Sequence, residues 1–153
     1  MNKTRKDYLL TVLNKEIESK KTRAETARDI AREYGKHTAS GWSVSGDRAH
    51  AEYNERLQNL LLGQLEKIKS EVEKSTEENP SSAGPPCFVK IRIDTTNSSQ
   101  EFYFLSSNAR LPGMSLLTPD SLLGKAIKSK RRGEIFSYTA RDQEIRGKIL
   151  AIE

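Results

Sequence analysis

The side chains best suited to chemistry crowd into one stretch, "YGKHTASGWSVSGDRAHAEY", residues 34–53. It holds the single tryptophan, Trp42, both histidines, His37 and His50, and two carboxylates, Asp47 and Glu52. Two imidazoles beside a carboxylate are a donor set for a transition metal. The spacing here matches no recurrent ligand pattern, and two solvated loop histidines are the simpler reading. An indole among glycine, serine and valine has little local apolar surface to bury against. Trp42 therefore either folds back over the adjoining helical turn or anchors a partner. Carboxylate oxygens are what magnesium prefers, but Asp47 and Glu52 stand five residues apart, off a common helix face. Lys36, Arg48 and the two histidines are close in sequence, and neighbouring positive charge weakens a divalent-cation site.

A second concentration is cationic: Lys128, Lys130, Arg131 and Arg132 within "KSKRR". This exceeds what a helix C-terminus needs to balance its dipole, and it suits contact with phosphate or with an acidic protein surface. Other chemistry is sparse. "GKAIKSK" lacks the spacing and the Ser/Thr of a phosphate-cradling loop. Cys87 is the only cysteine, so an internal disulfide and a cysteine-based metal site are excluded; it fits a small hydrophobe at a strand start.

Two long helices have to hold the first stretch. In residues 4–34, Leu10, Leu13, Ile17, Lys20, Ala24, Ala27, Ala31 and Tyr34 recur at alternating spacings of three and four, a heptad seam interrupted by Lys20. No glycine or proline breaks residues 1–34, and Gly35 supplies a stop. A second helix is expected from an N-cap at Asp47, with Leu57, Leu61, Leu65, Ile68 and Val72 on one stripe. The two stripes satisfy one another as an antiparallel coiled-coil hairpin over residues 1–75, with a tip loop at 35–47. Alanines crowd towards the turn, either because they let the helices approach closely or because alanine is the best helix former.

Prolines and serines in "EKSTEENPSSAGPP" end the helix, and residues 76–86 form a linker. Beyond it "CFVKIRI" alternates Phe88, Ile91 and Ile93 with Lys90 and Arg92, and "EFYFL" is the returning strand of a hairpin. "LLTPDSLLGKAIKSK" has Thr118 as N-cap and Pro119 in the first helical position. A closing hairpin turns near Ala140–Asp142. The fold class is α+β: the coiled coil, then an antiparallel sheet with one short helix over residues 87–153.

Bulk composition agrees with two units. Hydrophobic residues make up 35% against 31% charged, lean for one globule of 153 residues. The net charge of +5, from 26 basic and 21 acidic residues, suits an acidic partner yet is mild for a dedicated nucleic-acid binder. No apolar run approaches a membrane span and no signal peptide opens the chain, so a cytoplasmic location is expected.

Several segments resemble the bacterial Gre transcript-cleavage factors, the GreA/GreB family. "AREYG" at 31–35 is similar to the end of that family's first helix, "GDRAHAEYNERL" at 46–57 to the start of its second, and "SLLGKAIKSKRRGE" to its sheet-domain motif. The resemblance implies an FKBP-like sheet domain lodged on the rim of the RNA polymerase secondary channel, with the coiled coil entering it. Acidic tip residues of the family help hold a second magnesium at the polymerase's own active site, so the polymerase is the enzyme and the factor lends ligands. Implied for this chain are RNA polymerase as partner, docking through Asp120, Ser121 and Leu122, no cofactor of its own beyond magnesium shared with the polymerase, indirect or weak nucleic-acid contact, no membrane and a monomeric state. Gly124, Lys125 and Ala126 match the motif, while Leu122 stands where the family has proline and Ser129 where it has glycine.

The tip departs further. Ala49 falls where the family has its second acid and His50 where it has asparagine, and Lys36–Gly46 inserts eleven residues. Transcript cleavage is therefore expected to be weak or absent, with the channel-entering residues Trp42, Asp47 and Glu52 acting by occupancy. The alternatives are a true cleavage factor using Asp47 and Glu52, a DNA-binding coiled-coil module using Lys128–Arg132, and an interaction protein docking elsewhere.

Overall fold

The structure, a computed structural model, describes residues 1–36, 42–75 and 80–153. It divides into two compact units, Leu13–Glu66 and a second formed by Met1–Val12 with Lys67–Glu153. The division falls within the long helices, whose base ends belong with the sheet.

The first unit consists of the greater part of α1 (Lys3–Lys36) and α2 (Trp42–Lys74). Arg28 Nε donates to Glu55 Oε1 at 2.8 Å across the pair. Hydrogen bonding to that carboxylate, then its charge, raises the arginine further above its ordinary pKa. Leu13, Ile17 and Leu65 fill the seam at one end, and Ala24, Ala31 and Ala51 fill it towards the turn. Since α1 and α2 are the elements of this unit, each stripe is covered by the other. Gln58, seven residues from both Ala51 and Leu65, brings a polar group to the same stripe; its Oε1 is buried without a partner among the described residues.

Two helix boundaries differ from expectation. α1 ends at Lys36, one residue past Gly35, and α2 begins at Trp42 rather than with a cap at Asp47. Once the Ala51–Val72 stripe has nucleated α2, each added residue gains a hydrogen bond, and carrying the helix through Gly46 costs only about 1 kcal/mol. The seam also enters α1 at Leu9, which is fully buried, while Leu10 is half-buried.

The second unit is built on a five-stranded sheet of β1 (Cys87–Ile93), β2 (Ser98–Phe104), β3 (Leu116–Leu117), β4 (Ile135–Ala140) and β5 (Gln143–Ile152), in the order β3-β2-β1-β5-β4. The hairpin partners and β1–β5 are antiparallel, but β3 pairs parallel with β2. The sheet is thus mixed rather than wholly antiparallel; a two-residue strand is too short to leave a period-two signal. The β4–β5 turn falls where expected, with Arg141 and Asp142 at φ 50° and 61°, the left-handed pair that a two-residue hairpin loop requires.

The sheet's faces are unlike. Cys87, Val89, Ile91 and Ile93 point into a core closed by Phe104, Phe136, Ile149 and the short helix α3 (Leu122–Ile127) through Ile127, Leu123 and Ala126. Phe88 lies out of step with Ile91 and Ile93 and turns to the opposite face, where it meets Tyr103 edge-on at 5.4 Å. The base of α1 covers this face: Arg5 stacks over Phe88 and pairs with Glu153 and Glu101, while Asn2 donates to Glu153. Among the described residues no helix is long and apolar enough to cross a membrane.

Candidate functional site

Two surfaces carry the residues singled out from the sequence, one in each unit. At the turn end of the helical unit, Asp47 is exposed in the second turn of α2 and Glu52 is half-buried five residues on, about 140° away around the helix axis. Glu52 is already engaged, its Oε1 accepting from Arg48 Nε at 2.9 Å. One lone carboxylate and one held by arginine are a poor ligand set for magnesium, because the cation would have to displace a charge-assisted bond. Among the described residues no three His, Cys, Asp or Glu side chains converge on a metal-sized site. His50 is exposed, while His37 lies outside the described residues. Trp42 opens α2, and its side chain lies outside the described part of the chain, as does the middle of the expected 35–47 tip loop.

In the sheet unit, the chain enters α3 through a turn over Thr118–Ser121. The Ser121 N–H donates to the Thr118 carbonyl at 3.2 Å and its hydroxyl donates to the same oxygen at 2.7 Å. Ser121 Oγ accepts from the Gly124 N–H at 3.0 Å, so Ser121 caps the helix. The expected cap at Thr118 is thereby corrected: Pro119 sets the second position of a turn that closes before the helix begins. A β-carbon on Gly124 would collide with the Thr118 carbonyl and stand 2.8 Å from Ser121 Oγ, which explains the glycine of "LLGKA". Of the three proposed docking residues, Ser121 is spent on the cap, whereas Asp120 and Leu122 face solvent, Leu122 at 56% exposure.

Past α3, Lys128 closes the helix and Ser129 takes a left-handed φ of 65°. Ser129 N–H donates to Ala83 O and Ala83 N–H to Lys130 O, both at 2.7 Å. These bonds pin the cationic loop by its backbone and leave Lys130 half-buried, while Lys128, Arg131 and Arg132 stay exposed. Glu134, the carboxylate nearest in sequence, accepts from the Arg131 backbone N–H at 2.6 Å instead of pairing with a side chain.

Sequence reasoning missed the contribution of Arg5. An open groove of about 740 Å3 lies along the second face, lined by Arg5, Tyr8, Phe88, Tyr103 and Met114 among others. Burial raises the Tyr103 phenol above its ordinary pKa, partly offset by Arg5. Nothing in the spacing of α1 marks one arginine of a charged helix as a ring-stacking residue; only the odd placement of Phe88 in β1 hinted that this face needed cover.

No family model and no curated protein matches this chain. Among solved structures, it is similar to GreA factor homolog 1 (Gfh1) of Thermus thermophilus, with a TM-score of 0.40 and 17% identity over 94% of each chain. It is similar to Gfh1 of Thermus aquaticus at a TM-score of 0.43 and 18% identity, over 92% of this chain and 91% of that one. For the elongation factor GreA/GreB from Nitrosomonas europaea the TM-score is 0.41 with 16% identity, over 64% of this chain and 89% of the other.

Proposed function

We propose that the chain is a transcription elongation regulator that binds RNA polymerase at its secondary channel and acts there by occupancy, stimulating transcript cleavage weakly or not at all. The polymerase part of this reading rests on the resemblance of "AREYG", "GDRAHAEYNERL" and "SLLGKAIKSKRRGE" to the Gre factors, and is supported by a capped turn that leaves Asp120 and Leu122 exposed. One observation carries the inactive tip: Glu52 is held by Arg48, and Asp47 has no second carboxylate on its face of α2. Two-metal hydrolysis needs ligands that stabilise a cation and the hydroxide it generates, and this tip offers a cation of its own instead.

The test is RNA shortening by polymerase halted on a backtracked template. Binding without cleavage, with binding lost in the Asp120→Ala, Leu122→Ala variant, is the expected result. Efficient cleavage abolished by Asp47→Ala would overturn the inactive tip. Failure of the wild-type chain to bind polymerase would overturn the reading as a whole.

A further inference from the structure

We infer that β4 is the docking edge for a second copy of this chain, the two β4 strands pairing antiparallel about a two-fold axis at Ser137. The sheet has two edges, β3 and β4, and they are protected differently. β3 offers only Leu116–Leu117, too short to template another strand. β4 runs over Ile135–Ala140 as "IFSYTA", with no charge, proline or glycine, and its register against β5 has no bulge. Charge, proline, bulges and shortness are the devices that ordinarily keep an exposed edge from pairing, and this edge has none of them. Phe136 and Tyr138 pack into the core, so Ile135, Ser137 and Thr139 lie on the face of the sheet away from α3. All three are exposed, Ile135 at 66%.

Register fixes which backbone groups are free. Ala140 and Gln143 close the two-residue turn as a hydrogen-bonded pair, and the Ile149 N–H reaches Glu134 O at 3.0 Å, so Phe136, Tyr138 and Ala140 turn their N–H and C=O groups to β5. Ile135, Ser137 and Thr139 turn theirs to the open edge, where no backbone partner meets them among the described residues. A two-fold axis at Ser137 sets Ser137 against its own copy and Ile135 against Thr139 of the second copy. This is the antiparallel register that uses all three residues, and the N–H and C=O groups of each edge then answer those of the other. The side chains fit it. The residues directly opposed are uncharged, and β-branched Ile135 meets β-branched Thr139, a pairing that strands favour. Across the widened sheet one row runs Glu144, Thr139, then Ile135 and Lys148 of the second copy, with opposite charges at its two ends. The row through Ser137 ends in Arg146 of each copy, and each Arg146 is already held by its own Glu144 at 3.0 Å. Those two arginines stand three strand spacings apart, about 14 Å, which is beyond the screening length at physiological salt. A strand from an unrelated protein would have to supply this match independently, whereas a second copy supplies it by symmetry.

This dimer departs from the monomeric state that the family resemblance implies, and it stands apart from the polymerase reading because the test reads the mass of the free protein. Sedimentation velocity of the full chain is run from micromolar to near-millimolar concentration for the wild type and for Ser137→Pro, Ser137→Lys and Ser137→Glu. Thermal melts check that each is folded. Proline at this position forfeits only the outward N–H, so the β4–β5 ladder is kept. The expected result is a monomer–dimer equilibrium in the wild type, with the dissociation constant raised about tenfold or more in each variant. An equimolar mixture of the Ser137→Lys and Ser137→Glu proteins should recover the dimer, because the two-fold axis sets these two side chains against each other. A contact elsewhere on the chain would not produce that recovery. A wild type that stays monomeric throughout overturns the inference and leaves the edge to a strand of another protein. Dimers that all three substitutions leave intact overturn it in favour of another surface. Growth into larger assemblies overturns the closed two-fold, and failure of the mixed proteins to associate overturns the pairing at Ser137.

Discussion

The guanidinium of Arg5 lies 3.4 Å from the centroid of the Phe88 ring while its Nε donates to Glu153 Oε2 at 3.0 Å. One residue near the start of the chain thus covers a buried ring in β1 and binds the last residue, beyond β5. The face contact is worth roughly 1 kcal/mol, and the half-exposed ion pairs add a few tenths after solvent screening. Arg5→Ala is expected to lower unfolding free energy in urea by about 1–2 kcal/mol. Arg5→Lys should recover less than half, because an ammonium neither stacks flat nor spans Glu101 and Glu153 together. Loss of under 0.5 kcal/mol in Arg5→Ala would show that the contact does not anchor α1.

Gly147 makes a similar demand inside the core. It pairs with Phe136, and a β-carbon there would stand 2.6 Å from Phe136 Cζ and would also strike the Arg92 carbonyl. The ring lies over the strand because this position is bare. Gly147→Ala should cost about 2–3 kcal/mol by forcing the ring off its rotamer or the strands apart. Combined with Phe136→Leu, the loss should be smaller than the two single losses added, since the narrower side chain removes one of the two clashes. Strict additivity in this cycle would show that ring and glycine do not compete for the same space.

Much of the architecture was readable from the sequence, and the failures have a common physical origin. Long heptad stripes and the proline-rich break declare themselves because they are many residues deep, and the β4–β5 turn because two left-handed residues must sit between alternating strands. The cap at Ser121 was missed because "TPDS" holds three good cap residues, and only the fold-back of Ser121 onto the Thr118 carbonyl chooses among them. β3 is set by its neighbour β2, not by its own two residues. At the tip, spacing showed that Asp47 and Glu52 are ill matched, but the Arg48–Glu52 pair that removes one of them depends on α2 already being helical there.

Cys87 gives a pH-dependent measure of the same core. Burial pushes its thiol up to about 11 from an ordinary 9.0. Below pH 9 both folded and unfolded chains keep the proton, and its contribution to stability is complete. As pH rises from 9 to about 11 the unfolded thiol ionises first, so stability falls, by roughly 2–3 kcal/mol over that range. Contributions from other groups cancel when the wild type is compared with Cys87→Ala. The stability difference between the two proteins in urea should therefore move against the wild type between pH 8 and pH 10.5. A difference independent of pH would mean that the folded thiol ionises as readily as the unfolded one.

Ser129 holds a left-handed backbone, φ 65°, where α3 ends, although its side chain makes no hydrogen bond among the described residues. The position exists because Lys128 closes the helix and the next N–H must reach Ala83 O at 2.7 Å. A β-carbon in this conformation costs about 1 kcal/mol or more, part of which glycine returns through its greater freedom in the unfolded chain. Ser129→Gly should stabilise the protein by a few tenths to about 1 kcal/mol, and Ser129→Val should destabilise it by more than 1 kcal/mol, since β-branching is least tolerated at positive φ. Thermal melts of the three proteins should rank glycine above serine above valine. A Ser129→Val protein as stable as the wild type would mean that the loop escapes the left-handed turn, and the bonds to Ala83 that hold the cationic segment would then have to be lost with it.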